Sequence, residues 1–127
     1  MKYKGFIWIC GCVWVLCFAA LCLAAQLPQE VKQRLIVYPG AKLTNLENNA
    51  LGDGRQIYDI DLQAERAAYK DVVSFYRQEA KKRKWKILND TDRGYSCILI
   101  CHDGRYKIDI TIMTRENKVF IRLTIMG

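Results

Sequence analysis

The amino-acid sequence predicts an α+β fold, in which one main helix packs on an antiparallel sheet and an N-terminal apolar helix precedes the domain. Three observations predict this class. Between positions 67 and 84 the apolar residues recur at helical spacing and form one stripe of Tyr69, Val72, Val73, Tyr76 and Ala80. Elsewhere apolar and polar residues alternate with the period of two that is typical of half-buried strands. Short turn signals separate these stretches, which favours antiparallel pairing.

Two strands are predicted before the helix. The sequence Tyr-Pro-Gly-Ala at 38–41 is typical of a turn, because Pro fixes φ at the second position and Gly accepts a positive φ at the third. We expect one strand at 42–47 and another at 55–62, whose Tyr58, Ile60 and Leu62 alternate with polar neighbours. Residues 31–36 fit either one helical turn or the approach to a strand, and both remain open.

Four more strands are predicted after the helix, in the order 85–88, 95–101, 106–113 and 119–126. Asp103-Gly104, between the second and third of them, is the strongest hairpin signal in the chain. The predicted order of elements is therefore β-β-α-β-β-β-β, with the helical stripe buried on the sheet.

Residues 5–25 carry no charge and follow a short flank that contains Lys2 and Lys4. The length of this run favours a single membrane-spanning anchor, which needs about 20 apolar residues. The small residues at its end, Ala24 and Ala25, favour a cleaved signal peptide instead. An uncleaved segment would keep the N-terminus in the cytoplasm and contact the membrane through residues 5–25. Both alternatives divide the chain into 1–25 and one exported domain, 26–127, in the periplasm or at the cell surface.

The charge of the predicted exported domain is moderate. The whole chain has a formal net charge of +7, and Lys2 and Lys4 account for two of these positive charges. A dedicated nucleic-acid binder would have a denser basic stripe with interleaved aromatic residues. The sequence therefore predicts no nucleic-acid partner.

One basic run stands out near the end of the predicted helix, and it consists of Lys81, Lys82, Arg83, Lys84 and Lys86. Such a run could contact an anionic envelope component, either lipid headgroups or a cell-wall polymer. The alternative is that these residues complement the negative end of the helix dipole and keep the domain soluble.

Cys97, Cys101 and His102 resemble the Cys-x-x-Cys-His pattern of covalent haem attachment with one extra residue between the thiols. If positions 95–101 form a strand, however, residues four apart are separated by about 13 Å, which prevents a mutual disulfide or a shared macrocycle. We therefore expect two buried thiols on one strand face and no cofactor. A periplasmic haem or redox protein that uses these three residues is the alternative function.

Two aspartates are the remaining candidates for a chemical role. Asp59 and Asp61 share one face of a strand and could be a pair of carboxylates, but the alternation around them is typical of a solvated face. The single histidine and the lack of a Gly-rich phosphate loop leave no catalytic set and no metal cluster. The sequence thus favours a non-enzymatic binding or envelope-associated module.

The turn at 38–41, the Val-Ser-Phe-Tyr of positions 73–76, the aromatic Trp85 after the helix and the closing strands together resemble small exported bacterial α+β domains of unknown function. The resemblance covers roughly residues 36–126 and implies no catalytic residues. Such domains often have Gly before the tryptophan, where this chain has Lys84. Gly would supply a left-handed helix cap, so the helix must end here with a strained lysine or by another route.

Overall fold

The computed structural model describes residues 27–127. In chain order its elements are α1 (Gln29–Lys32), β1 (Lys42–Ala50), β2 (Gln56–Ala64), α2 (Tyr69–Lys82), β3 (Lys86–Asp92), β4 (Ser96–His102), β5 (Lys107–Arg115) and β6 (Lys118–Met126). The strands form one six-stranded sheet in the order β1-β2-β6-β5-β4-β3, and every neighbouring pair is antiparallel.

The predicted α+β class is wrong. Half of the described residues lie in strands and 18% in helices, so the fold is dominated by its sheet. The main helix has 14 residues and packs against β4 and β5, which is too little to form a full second layer over six strands. The four-residue α1 begins two residues before the segment 31–36 that the sequence left open, and residues 33–36 form neither helix nor strand. The predicted N-terminal apolar helix lies outside the described residues.

The core lies on one face of the sheet, which we call the inner face. Side chains of alternate positions on β2, β4, β5 and β6 point to this face, because successive residues of a strand point to opposite sides. Their buried members are Tyr58, Ile60, Leu62, Ala64, Cys97, Leu99, Cys101, Ile108, Ile110, Ile112, Val119, Ile121, Leu123 and Ile125. The predicted helical stripe is confirmed at Val72, Val73, Tyr76 and Ala80, which are buried, whereas Tyr69 is half-buried.

The segment between α1 and β1 completes the cover of the inner face. Its Ile36 is buried, and the Ile36 carbonyl accepts a hydrogen bond of 2.9 Å from the Tyr76 hydroxyl. Further along, the Tyr38 ring packs edge-on against Phe75 at 5.2 Å between ring centroids. The predicted turn follows, with a bond of 2.9 Å from the Ala41 N–H to the Tyr38 carbonyl. Residues 33–41, which have no regular structure, therefore cover the part of the inner face that α2 leaves open.

The opposite face of the sheet, the outer face, carries the other set of alternate side chains. Within residues 27–127 no helix covers it. Arg122 on β6 forms a two-pronged ion pair with Asp61 on β2, at 2.7 and 3.1 Å. Three large apolar side chains, Ile98, Met113 and Phe120, are also exposed on this face.

Candidate functional site

One end of the sheet collects basic side chains from several elements. Strand pairing aligns Lys86 with His102, His102 with Lys107, and Lys107 with Met126, so the start of β3 and the start of β5 lie at this end. The C-terminus of α2 is at the same end, because only three residues connect it to β3. We call this region the basic end, and define it by Lys81, Lys82, Arg83, Lys84, Lys86, Arg105 and Lys107.

The helix that carries most of the basic run ends in a Schellman motif. The N–H of Trp85 donates to the Ala80 carbonyl and the N–H of Lys84 donates to the Lys81 carbonyl, both at 3.0 Å. This motif requires a left-handed residue after the helix, and Lys84 has a φ of 57°. A left-handed conformation costs a residue with a side chain about 1–2 kcal/mol. Of the two alternatives left by the sequence, the strained lysine is the one present.

The side chains of the basic run differ in how firmly they are held. Arg83 donates a hydrogen bond of 2.5 Å to the Gln33 carbonyl, and its guanidinium lies 5.4 Å from the centre of the Trp85 ring. Lys82 and Arg83 both reach Glu79 on the same helix, at 3.5 and 3.6 Å. The remaining three, Lys81, Lys84 and Lys86, are exposed and form no ion pair within residues 27–127. Their charges are available to an external anion.

A shallow depression of about 290 Å³ adds cations to this end of the sheet. Its lining comprises Arg55, His102, Arg105, Lys107, Met126 and Gly127. Sequence reasoning missed Arg55, Arg105 and Lys107 because they are scattered along the chain. A two-residue turn at Asp103-Gly104 would place Arg105 opposite His102. The observed register instead pairs His102 with Lys107, so the hairpin signal alone did not place Lys107 at this end.

The N-terminal part of the described chain is tied to this same end. Arg34 donates through Nε to the Asp103 carboxylate, and its guanidinium stacks 4.1 Å above the Tyr106 ring. Glu30 of α1 accepts hydrogen bonds from the Tyr106 hydroxyl at 2.5 Å and from Arg105 at 2.9 Å. The bond from Tyr106, followed by the charge of Arg105, holds the pKa of Glu30 below its usual range.

Asp103 organises the β4–β5 turn to which α1 is attached. Its carboxylate accepts hydrogen bonds from the backbone N–H groups of Tyr106 and Arg105, at 2.7 and 2.9 Å. Burial favours the neutral form of Asp103, but these bonds and the Arg34 guanidinium outweigh burial and lower its pKa. The turn and α1 therefore form one ionic and hydrogen-bonded unit.

Leu27, the first described residue, is already buried in the core, and Val31 follows it there. The apolar run of residues 5–25 ends at Ala25. Because α1 is held at the basic end, the chain enters the folded domain next to the basic side chains. Almost no linker separates the predicted membrane or signal segment from the core.

The structure does not bring the three residues of the haem hypothesis together. Cys97 and Cys101 are free, buried thiols on the inner face of β4, and burial raises the pKa of both to about 11. His102 is the next residue after Cys101 along the strand, so its side chain points to the opposite face. There its Nδ1 accepts a hydrogen bond of 2.9 Å from the Gly104 N–H.

The two carboxylates considered from the sequence lie on the outer face, and each has a partner. Asp59 accepts a hydrogen bond of 2.7 Å from the Thr124 hydroxyl, and Asp61 is paired with Arg122. A second depression, of about 490 Å³, lies beside this pair and is also lined by Met113 and Phe120. Among residues 27–127 no three His, Cys, Asp or Glu side chains are grouped in a way that could hold a metal ion. No helix in this range has the length and apolar character needed to cross a membrane.

No family model and no curated protein matches the chain. Among solved structures, the chain is similar to PA94, a protein of unknown function from Pseudomonas aeruginosa, with a TM-score of 0.53 and 17% identity over 66% of this chain and 69% of that one. CalU16 from Micromonospora echinospora aligns with a TM-score of 0.41 and 9% identity over 68% of each chain, which is too low to support an argument. The first likeness concerns the fold alone, and it confirms the resemblance to a domain of unknown function.

Proposed function

We propose that the chain is a non-enzymatic, envelope-associated module, tethered to the membrane through residues 5–25 and exported beyond it, whose basic end binds the anionic surface of that membrane. The observation that carries the proposal is the position of α1. It is attached to the β4–β5 turn at the basic end, and the apolar run of residues 5–25 stops two residues before the buried Leu27. A tether that enters at this end directs the basic side chains toward the lipid surface.

The charges at the basic end are sufficient for binding once the domain is tethered. A basic side chain close to an anionic lipid surface contributes about 1 kcal/mol, and this contribution fades over a Debye length of about 8–10 Å. The exposed Lys81, Lys84 and Lys86 therefore supply a few kcal/mol together. Tethering removes most of the entropic cost of association, because it keeps the local concentration of the surface high.

The strained conformation of Lys84 supports a role for its charge. Glycine would adopt a φ of 57° without steric cost, yet this position has a lysine. Strain of this kind is common where a side chain serves a function that offsets the lost stability. Lys84 follows Arg83 directly and is two residues from Lys86, so the charge that it adds has basic neighbours on both sides.

Lysine footprinting of the full chain in lipid nanodiscs tests the proposal. The discs contain phosphatidylcholine alone or a mixture with phosphatidylglycerol, and an amine-reactive reagent labels accessible lysines before mass analysis. We expect labelling of Lys81, Lys84 and Lys86 to fall in the anionic discs and to recover at high salt. Lys118 begins β6 at the opposite end of the sheet and serves as the internal control, with equal labelling in both discs.

Equal labelling of the basic run in both kinds of disc would contradict the proposal. Reduced labelling of Lys118 together with the basic run would contradict it as well, since the whole domain would then be shielded without a preferred end.

A further inference from the structure

We infer that Leu88, together with Ile87, enters the hydrocarbon border of the bilayer beside the basic end, so that the start of β3 faces the lipid. The inference rests on the proposed function and adds to it the nature of the partner and the orientation of the domain. The partner is a lipid bilayer, in which apolar side chains and anionic headgroups are contacted side by side.

The two apolar residues directly follow the basic run. Ile87 is 36% exposed and Leu88 is 53% exposed, and Lys86 immediately precedes them. Leu88 is two residues from Lys86, a distance of about 7 Å along a strand. Single exposed apolar residues are common on protein surfaces. Apolar side chains beside Lys and Arg are the combination through which interfacial segments contact a membrane, and the start of β3 presents both kinds of group.

The position of these residues in the sheet leaves them accessible. β3 is an edge strand that pairs only with β4, and all seven of its residues are exposed. The register shifts between Ile87 and Asn89, so that Leu88 is the extra residue of a bulge. A bulge bends the strand and changes the direction in which a side chain points. The bulge also prevents a further strand from pairing along the free edge of β3. A partner that is not a strand therefore fits this edge better.

The chemistry of the patch favours lipid over a polymer. A phosphate-bearing polymer of the cell wall would neutralise Lys84 and Lys86, but it would leave Ile87 and Leu88 in water. A bilayer satisfies both groups, because headgroup phosphates lie directly above the acyl chains. Burial of apolar surface gives a contribution that salt does not screen, so the contact should retain a part that is independent of ionic strength.

Trp85 is a built-in reporter of this contact, since it lies between Lys84 and Lys86 and is the only tryptophan in residues 27–127. The full chain with Trp8→Phe and Trp14→Phe is placed in phosphatidylglycerol-containing nanodiscs whose lipids are brominated high on the acyl chain. We expect bromine to quench Trp85 fluorescence, and part of the quenching to persist at high salt. Leu88→Ser should reduce the quenching by about twofold or more, whereas Leu88→Met should retain it.

Ile98→Ser is the matched control, because Ile98 is 43% exposed on the neighbouring strand but lies outside the basic end. It should leave the quenching unchanged. If Trp85 is not quenched but the basic run is protected from labelling, the inference is overturned and the proposed function stands. The basic end would then contact the headgroups by charge alone, without insertion of Leu88. If Trp85 is not quenched and the basic run is not protected from labelling, both the inference and the proposed function are overturned. An unquenched Trp85 in a chain that dimerises through β3 would overturn the inference in favour of a second copy.

Discussion

The hydroxyl of Tyr76 donates a hydrogen bond to the backbone carbonyl of Ile36 across the inner face of the domain, at 2.9 Å. Tyr76 is fully buried, and burial raises its pKa above the ordinary value. The bond joins α2 to residues 33–41, which have no regular structure. It therefore holds these residues in place over the core.

Loss of this bond should therefore be measurable. In the fragment 27–127, which contains the whole described core, Tyr76→Phe should lower the free energy of unfolding by about 1–3 kcal/mol, since a buried carbonyl loses its donor. Tyr76→Ala should cost about 3–5 kcal/mol through the cavity it leaves. Lys82→Ala on the exposed face should stay within about 0.5 kcal/mol. Urea denaturation checks the three values, and equal effects at positions 76 and 82 would mean that the buried face is wrongly assigned.

Lys84→Gly should separate stability from membrane binding. Glycine relieves the left-handed strain, so we expect the free energy of unfolding to rise by about 0.5–1 kcal/mol. The same change removes one charge from the basic end and should weaken the contact with anionic nanodiscs. Asn117→Gly is the control, because Asn117 has a φ of 63° in the β5–β6 turn at the opposite end. Asn117→Gly should raise the free energy of unfolding without changing the contact with anionic nanodiscs. A Lys84→Gly chain that is less stable than the parent would refute the strain argument.

The two buried thiols should be unreactive in the folded domain. Burial raises the pKa of Cys97 and Cys101 to about 11, which leaves little thiolate at neutral pH. An alkylating reagent followed by peptide mapping should modify both residues only after denaturation. Cys101→Ala should lower the free energy of unfolding by about 1–2 kcal/mol, as for a small cavity. A Cys97–Cys101 cross-link or a Soret band would instead support the haem or redox alternative.

Acid should weaken the attachment of α1. The pKa of Asp103 is lowered in the folded state, so its contribution to stability is complete above the unfolded pKa of about 3.9 and is lost as pH falls through the lower folded value. Asp103→Asn keeps an acceptor for the turn but cannot titrate. We expect the urea midpoint of the parent fragment to fall more steeply than that of the variant below about pH 4. Parallel pH profiles would show that Asp103 is not responsible.

Local features of the fold could be predicted where one residue pattern has one physical solution. The stripe Val72, Val73, Tyr76 and Ala80 is buried, and Asp103-Gly104 forms the turn between β4 and β5. The predicted α+β class was wrong for a different reason. The periodicity of the sequence indicates which segments are strands or helices, but it does not indicate how much of a sheet one helix can cover. The cover supplied by residues 33–41 has no periodic signal, and it depends on single contacts such as that of Tyr76 with Ile36.

The site was predictable only in part, for a related reason. The basic run lies within six consecutive positions, 81–86, and charge alone reveals it. Arg55, Arg105 and Lys107 join the same end of the sheet through strand register, which depends on tertiary pairing. The chain enters the domain beside these residues because Glu30 and Arg34 bond to the β4–β5 turn. No local sequence pattern predicts such long-range pairs.

The central claim, that the basic end faces an anionic membrane, is tested most directly by hydrogen–deuterium exchange on the full chain in nanodiscs. The two turns to compare are 103–106, between β4 and β5, and 115–118, between β5 and β6, because they lie at opposite ends of β5. We predict slower exchange at 103–106 in phosphatidylglycerol discs than in phosphatidylcholine discs, with no change at 115–118. Equal exchange of 103–106 in the two lipids, or slowing confined to 115–118, would contradict the account.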